Sequence, residues 1–237
     1  MTTPVAATDI GFSTAPDFDN TLPWNAMAAN GPPWVVFSGA FKFKTRPDHI
    51  ARKMFIDALP GSALVRDYPA TTLAEPFIDI RKESRFRGFA LHTNHGTNGV
   101  ALDVNGLYAS NSIISELYIT SKIPGVMWAI PMALRSADPL GIRGVHVEHV
   151  ELFAASHALL WLVNVRGLWL EDVNCYPAGG TVSHATIQHS GAYRSAAVKW
   201  STRYLETLYA YNTDNMKIDR INPVAISQSG CTNITQA

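Results

Sequence analysis

Two glutamates in this sequence occupy matching places of a repeated pattern, where their carboxyl groups can cooperate in cleaving a glycosidic bond. Glu148 and Glu171 hold equivalent places in successive copies of the pattern, and each follows an alternating apolar segment. If those segments are neighbouring strands, about 4.8 Å apart, the two carboxyl groups approach the separation that retaining glycosidases use. The alternative is that the glutamates bend apart or pair with Arg143 and Arg166. If the protein is an enzyme, Glu148 and Glu171 are the predicted catalytic pair.

Four ring-bearing residues occupy a single place of the same pattern. Tyr118, His146, Trp169 and Tyr209 fall in its fifth position, which strand alternation directs to the outside of the fold. We expect them to form one line across successive strands. Aromatic rings offer flat apolar faces on which sugar rings stack, so a glycan-binding site is predicted. An exposed aromatic line is also typical of a subunit contact, and both interpretations remain open.

No metal or cofactor site is predicted. His146 and His149 are three residues apart on an expected strand, and so are His92 and His95. Residues at that spacing face opposite sides of a strand, so neither pair is placed to chelate one ion unless Thr93 and Asn94 form a turn between His92 and His95. The glycine-containing segment Asn94–Gly99 has no helix after it to bind a phosphate group.

These side chains depend for their placement on a short strand motif that recurs along the chain. The motif is apolar-x-x-apolar-x-apolar, and it begins at Phe86, Ile114, Ile142 and Val165, which gives two equal steps and then a shorter one. Three of the four copies carry Arg-Gly in the second and third places. Alternating apolar residues indicate strands, and a recurrence at such intervals indicates a stacked architecture in which each turn is one coil. The sequence therefore predicts an all-β fold, a single-stranded right-handed parallel β-helix.

The motif also identifies the residues that should form the core. Its first, fourth and sixth places are apolar in every copy, and these places are expected to face inward. Residues in the same place of successive coils should then lie on one another. The predicted continuous stack contains Leu117, Ile119, Val145, Val147, Leu168 and Leu170.

The N-terminal segment differs from the rest of the chain. Residues 1–34 contain prolines at positions 4, 16, 23, 32 and 33, and proline at this density prevents regular structure. Aromatic residues between the prolines are unusual for a linker, so we predict an extended arm over residues 1–34 that docks on its own coils or on a neighbouring subunit. Residues 35–237 are predicted to form the β-helix domain. Helical spacing of apolar residues over 50–59 predicts a short capping helix.

Composition excludes some classes of partner. The chain has 237 residues with 19 basic and 19 acidic side chains, so its formal net charge is zero. Nucleic-acid binding needs a basic face, and no nucleic-acid partner is expected.

No apolar run reaches the roughly 18 residues of a membrane helix, and Met1–Asn20 lacks the basic start and apolar stretch of a signal peptide. We therefore expect synthesis in a cytoplasm, no classical export and no membrane insertion.

Several segments resemble the opening of pectate-lyase-like β-helix proteins. They are Gly39-Ala-Phe-Lys-Phe43, Leu59-Pro-Gly-Ser-Ala-Leu-Val65, Phe77-Ile-Asp-Ile80 and the Arg-Gly strands that follow. The N-terminal arm without an export signal is similar to bacteriophage tailspike and tail-fibre proteins of this kind. The resemblance implies a homotrimer that binds or cleaves bacterial surface polysaccharide. The calcium-binding aspartate cluster and the arginine pair of pectate lyases do not stand out in this sequence.

The sequence favours a non-enzymatic bacteriophage virion protein, made in the host cytoplasm, as a component of a tail spike or tail fibre. Its expected partners are two further copies of itself, other virion proteins reached through the arm, and host surface polysaccharide. One alternative is a polysaccharide lyase or glycoside hydrolase on the same fold, and another is a capsid decoration protein. Cleavage of capsular polysaccharide distinguishes the enzyme from the other two.

Overall fold

The protein is built mainly of β-strands. The computed structural model describes residues 3–96, 98–138, 140–153, 155–176, 184–188, 195–196, 198–220 and 225–237. Within these ranges the strands are, in chain order, β1 Val5–Ala6, β2 Trp34–Phe37, β3 Ala40–Phe43, β4 Phe55–Ala58, β5 Ala63–Arg66, β6 Pro76–Ile80, β7 Arg85–Arg87, β8 Ala90–Thr93, β9 Val100–Asn105, β10 Ile113–Thr120, β11 Ile130–Arg135, β12 Ile142–Arg143, β13 His146–Phe153, β14 Leu160–Val163, β15 Val165–Arg166, β16 Trp169–Tyr176, β17 His184–Gln188, β18 Ser195–Ala196, β19 Lys199–Thr202, β20 Thr207–Tyr211, β21 Thr213–Arg220, β22 Ala225–Ser229 and β23 Thr232–Gln236. The α-helix α1 spans Thr21–Asn30, and short 3₁₀ helices lie at Ala7–Ile10 and Leu107–Ala109. Across the described ranges, no helix combines the length and the apolar character needed to cross a membrane.

The described strands form a sheet of 16 strands and a sheet of seven, and their pairings are parallel. From β10 onward the chain alternates between the sheets, with β10, β13 and β16 in the larger and β11, β14 and β17 in the smaller. Each return places a strand beside the one from the preceding coil, since β10 pairs with β13 and β11 pairs with β14. Parallel neighbours require such a crossover connection, and here the other sheet supplies it.

Left-handed residues explain why the motif has two successive places that are not apolar. The third place has a positive φ in every copy, 85° at Gly88, 54° at Glu116, 60° at Gly144 and 58° at Gly167. A left-handed residue turns the strand and interrupts its alternation, so the apolar residues on both sides of it face inward. Glycine reaches this region without steric cost, which accounts for the glycine at the third place of three copies.

The four motif copies do not share a single register. The first two copies pair with each other, and so do the last two. Between these sets, however, Ile114 pairs with Val147 and not with Ile142, a displacement of five residues. The reason is that the coil beginning at Ile142 has two left-handed corners, at Gly144 and His149. The same apolar pattern describes the strand around either corner, so the pattern alone does not distinguish them.

The prediction that six motif residues are buried in one continuous core is confirmed, but Leu117 and Ile119 pair with Val150 and Leu152 and not with Val145 and Val147. The six residues expected in it are at most 2% exposed, and all belong to one hydrophobic cluster. Register pairs carry this cluster through successive coils, from Phe86 through Ile114 and Val147 to Leu170. The apolar core therefore lies along the length of the stacked strands.

The prediction of an extended N-terminal arm is wrong for part of its length, because α1 lies within it. Pro23 occupies the first turn of α1, where a backbone N–H has no helical acceptor, and Pro32 and Pro33 follow the end of the helix. Trp24 is fully buried, and its ring centroid lies 5.6 Å from that of Phe43. This part of the segment therefore packs on the protein's own coils.

The prediction of a capping helix over residues 50–59 is also wrong. Residues 55–58 form β4, and Ile50 makes an isolated parallel bridge to Ile80. Met54 and Ile56 are buried, whereas Phe55 between them is half-buried, so the apolar residues follow the period of a strand. The helix that covers an end of the core is α1.

Candidate functional site

The outer face of β10, β13 and β16 carries two groups of side chains suited to binding. Each strand has eight residues, and their register places side chains in columns across the sheet. The left-handed residues Glu116, His149 and Asp172 occupy the same level of the three strands and divide each strand into two halves. The N-terminal halves carry a histidine–carboxylate group, and the C-terminal halves carry a column of aromatic rings.

The first group, the His–Glu cluster, consists of His146, Glu148 and Glu171. His146 and Glu148 are two residues apart on β13 and share a face, while Glu171 on β16 is the register partner of Glu148. The Nε2 atom of His146 lies 3.9 Å from Oε2 of Glu148 and 3.6 Å from Oε2 of Glu171. This nitrogen is shielded from solvent and has no hydrogen-bond partner among the described residues. The prediction that the two glutamates lie on neighbouring strands is confirmed.

Trp169 presents an open aromatic face beside the His–Glu cluster. It is the register partner of His146, with ring centroids 6.3 Å apart, and it is 54% exposed. The Nζ atom of Lys199 lies 5.0 Å from the Trp169 ring centroid, within cation–π range. A groove of about 200 Å³ lies beside the Trp169 ring and is lined in part by Glu171, Lys199 and Asp219. A flat apolar surface bordered by charges can hold a ring that has polar edges.

The four predicted ligand-binding residues do not form one line. His146 and Trp169 are neighbours, but Tyr118 pairs with Glu151, five residues beyond His146. This is the register displacement between the early and late motif copies. Tyr209 lies on β20 in the smaller sheet, where it pairs with other residues. The alignment predicted from the sequence is therefore wrong, while a glycan-binding role for these residues stays a prediction.

An aromatic ladder occupies the other half of the same face. It consists of Tyr118, Phe153, Tyr176 and Tyr204, whose successive ring centroids are 4.8, 4.7 and 4.9 Å apart. The Phe153 and Tyr176 rings are inclined by only 10°, and those of Tyr176 and Tyr204 by 19°. Tyr118 at one end is 47% exposed, and the other three rings are half-buried. The ladder provides a row of aromatic edges at the spacing of the coils.

Charged groups border the aromatic ladder. Arg203 donates hydrogen bonds from Nε to Asp172 at 2.7 Å and from a terminal nitrogen to Glu151 at 2.8 Å. Burial raises the pKa of the Asp172 carboxyl, but hydrogen bonds from Asn174, Arg203 and His149 outweigh burial and leave this pKa below its ordinary value. Asp172 therefore stays ionised and holds Arg203 beside the rings. This border offers hydrogen-bond donors and acceptors to a polar ligand.

Sequence reasoning missed three members of the ladder: Phe153, Tyr176 and Tyr204. A usable signal was present, since Phe153 and Tyr176 are separated by the shorter step of the motif, and Tyr176 and Tyr204 by its longer step. These residues lie outside the six places of the motif as first defined. Extending the pattern past the left-handed corner would have aligned the first two of them.

Comparison with known proteins identifies no matching family model and no matching curated protein. Among solved structures, ORF18 of Geobacillus virus E2 is 10% identical, with a TM-score of 0.37, over 98% of this chain and 60% of that chain. Tailspike protein 3 of bacteriophage CBA120 is 11% identical, with a TM-score of 0.37, over 98% of this chain and 56% of that chain. The catalytic domain of Agl-KA is 12% identical, with a TM-score of 0.42, over 98% of this chain and 57% of that chain.

These structural neighbours thus include a phage tailspike and the catalytic domain of another protein. The chain spans about 56–60% of the length of the three. TM-scores below 0.5 at this level of identity do not support a shared activity, ligand or assembly.

Proposed function

We propose that the protein is a right-handed parallel β-helix and serves as a non-enzymatic component of a bacteriophage tail spike or tail fibre that binds a surface glycan. The observation that carries the proposal is the aromatic ladder on the outer face of β10, β13 and β16. A solenoid of stacked strands is a rigid support, and ligands bind along its extended surface. The winding between two parallel sheets supports the helical architecture.

The ladder has the two chemical features that a sugar chain needs. The inner rings stack face to face, so they present regularly spaced aromatic edges, and the exposed ring of Tyr118 at one end supplies an apolar face against which the C–H face of a sugar ring packs. The Arg203, Asp172 and Glu151 group beside it supplies charged hydrogen-bonding partners for hydroxyl or carboxylate substituents. A polysaccharide lying along the ladder would contact several coils at once.

Binding of purified bacterial capsular polysaccharide tests the glycan proposal. Tyr118→Ala, at the open end of the ladder, is expected to lose about 1–3 kcal/mol of binding free energy, by analogy with the stacking of flat rings on aromatic side chains. Tyr211→Ala is the matched control, because Tyr211 is 41% exposed but lies on β20 of the other sheet. Equal affinities for both variants and the wild type would contradict the proposal.

Trp169→Ala tests separately whether the column of His146 and Trp169, on the other half of the outer face, also contributes to binding. If the glycan also covers Trp169, this variant is expected to lose a similar amount of affinity. If the column is a subunit seam instead, the variant weakens assembly and leaves polysaccharide binding unchanged.

Assembly as a homotrimer, with residues 1–34 contacting other virion proteins, is a further part of the proposal. It is supported by the ring of Trp169, which is 54% exposed on the outer face. Light scattering on the full chain is expected to show a trimer, and a stable monomer at all concentrations would contradict it. Electron microscopy of the particle then distinguishes a tail position from a capsid position.

A polysaccharide-degrading enzyme is the second candidate, because the ligand atoms of Glu148 and Glu171 lie within 4.8 Å of each other. A carboxyl pair at about 5 Å suits a retaining glycosidase. The main proposal expects no polysaccharide cleavage, and Glu171→Gln should then leave glycan affinity nearly unchanged. Cleavage by the native protein that disappears in Glu171→Gln would establish the enzymatic function in its place.

A further inference from the structure

The His–Glu cluster contains three groups that ligate metals, and they converge on one point of the surface. The imidazole of His146 and the carboxylates of Glu148 and Glu171 each offer one atom, and these atoms all lie within 4.8 Å of one another. Two of the three residues share β13, and the third is held in register on β16 by the parallel ladder. The strand register therefore fixes the spacing of the three residues from which these side chains extend.

The Nε2 atom of His146 points to a missing partner. It is shielded from solvent and makes no hydrogen bond within the described residues, although two carboxylate oxygens lie 3.6 and 3.9 Å away. These separations are too long for hydrogen bonds. An unpaired buried nitrogen is unfavourable, and two carboxylates on neighbouring strands repel each other. A cation between the three groups removes both costs.

The distances suit a small tetrahedral cation. Bonds of about 2.0–2.2 Å in tetrahedral zinc sites place neighbouring ligand atoms roughly 3.3–3.6 Å apart. The two separations from Nε2 of His146, 3.6 and 3.9 Å, need only a small closure, and the two carboxylate oxygens, within 4.8 Å of each other, approach by rotation about the glutamate side-chain bonds. One imidazole with two carboxylates is a mixed nitrogen and oxygen set, which zinc accepts, whereas calcium prefers oxygen ligands alone.

We propose that His146, Glu148 and Glu171 form a zinc site on the outer face of β13 and β16. Nε2 of His146 and one oxygen from each glutamate bind the ion, and the fourth position is open to solvent or to a ligand lying over Trp169. The side chains of His146 and Glu148 are 37% and 35% exposed and that of Glu171 is 60% exposed, so the ion has a direct entry path. This proposal does not depend on the glycan proposal.

Calorimetric titration of the chelator-treated full chain with Zn²⁺ tests the site, with Co²⁺ as a second probe. One ion per chain is expected, and bound Co²⁺ should give the visible absorption of a tetrahedral complex. His146→Ala and Glu171→Gln should each weaken binding by more than about tenfold, since even residues that only support metal ligands contribute 10- to 100-fold. Circular dichroism establishes that both variants remain folded.

His149→Ala is the matched control. His149 lies three residues further along β13, is exposed, and has one described carboxylate neighbour, Asp172, at 3.4 Å. The His149→Ala variant should bind Zn²⁺ as tightly as the wild type. The proposal is overturned if the wild type binds no Zn²⁺, if His146→Ala binds as well as the wild type, or if His149→Ala is weakened equally, which would indicate adventitious surface binding. If His146→Ala does not fold, the Glu171→Gln titration decides.

Discussion

At the scale of single residues, the sign of φ determines where each coil turns. Glu116, His149 and Asp172 keep positive φ values of 54°, 52° and 51°, in a region that glycine normally fills. Such residues cost on the order of 1–3 kcal/mol each and persist only where their surroundings hold them. Gly88 occupies the corresponding level of the preceding coil. Packing between successive coils therefore holds the corner in place. The corner in turn divides the outer face into its N-terminal and C-terminal halves.

Gly88→Ala should destabilise the protein more than Gly61→Ala. Both glycines have similar φ values, 85° and 81°, so both substitutions introduce a comparable left-handed strain of about 1–2 kcal/mol. A Cβ at Gly88 would lie 2.6 Å from the Ala58 carbonyl oxygen, whereas one at Gly61 meets no atom within 4 Å. We expect the packing clash to cost about 1–3 kcal/mol more at Gly88. Urea unfolding measures the difference, and equal losses would contradict the close approach.

Asp103 should make stability depend on pH. Burial raises the pKa of this carboxyl to about 6, although hydrogen bonds from Arg135 and Asn105 oppose the rise and Asp79 adds to it. The pKa in the unfolded chain is about 3.9. Between pH 4 and 6 the folded state therefore binds more protons than the unfolded state, and the stability contributed by Asp103 falls as the pH rises through this window.

Asp103→Asn isolates this effect from the other carboxyl groups. The free energy of unfolding of the wild type, minus that of the variant, should decrease by about 2 kcal/mol from pH 4 to pH 6 and then remain level. Urea unfolding of both proteins at several pH values measures this difference. A difference that is constant or increases with pH would show that Arg135 keeps Asp103 ionised throughout.

At the scale of elements, stability depends on apolar columns that cross successive strands. Ile114, Val147 and Leu170 are register partners on β10, β13 and β16, and none is more than 1% exposed. Each side chain in such a column packs on the strand before it and the strand after it. A change at one level therefore disturbs three coils.

Val147→Asp should destabilise the protein by several kcal/mol, because it places a charge without a partner in the column. Ile113→Asp is the control, since Ile113 is an apolar strand residue that is 42% exposed on the outer face. We expect the control to cost about 1 kcal/mol or less, chiefly because aspartate has a lower strand propensity than isoleucine. Thermal unfolding followed by circular dichroism compares the two. Similar losses would mean that the inward and outward faces are assigned wrongly.

At the scale of the whole molecule, the stacked strands need a cover at their first end. Helix α1 supplies it through Trp24, which is fully buried against Phe37 and Phe43 and donates a hydrogen bond to the Asp48 carbonyl oxygen at 2.9 Å. Without such a cover, the core residues of an end coil would be exposed to water. The N-terminal segment therefore contributes to the stability of the stack.

Trp24→Ala should reduce the free energy of unfolding by about 3–5 kcal/mol, as expected for removing a large core side chain. Leu22→Ala on the same helix should change it by about 0.5 kcal/mol or less, because Leu22 is 79% exposed. Urea unfolding of the two variants makes the comparison. A small loss in Trp24→Ala would indicate that α1 is not required to cover the core.

Local chemistry made much of the fold predictable. The apolar places of the motif predicted parallel strands and six core residues, because burial in a strand requires only the right side chain at the right alternation. Pro23, Pro32 and Pro33 misled the prediction for the N-terminal segment. Their effect depends on where a helix begins and ends, and composition does not contain that information.

The sequence by itself determined which residues face inward and that Glu148 and Glu171 lie side by side, since both follow from the spacing between equivalent places of the motif. Only the tertiary structure decided which corner of one coil stacks on which corner of the next, because both corners satisfy the same apolar pattern. That choice separated Tyr118 from His146 and Trp169. It also assembled the aromatic ladder from Tyr118, which lies in the motif, and three rings that lie outside it. These contacts join different coils, and their geometry depends on the full path of the chain between them.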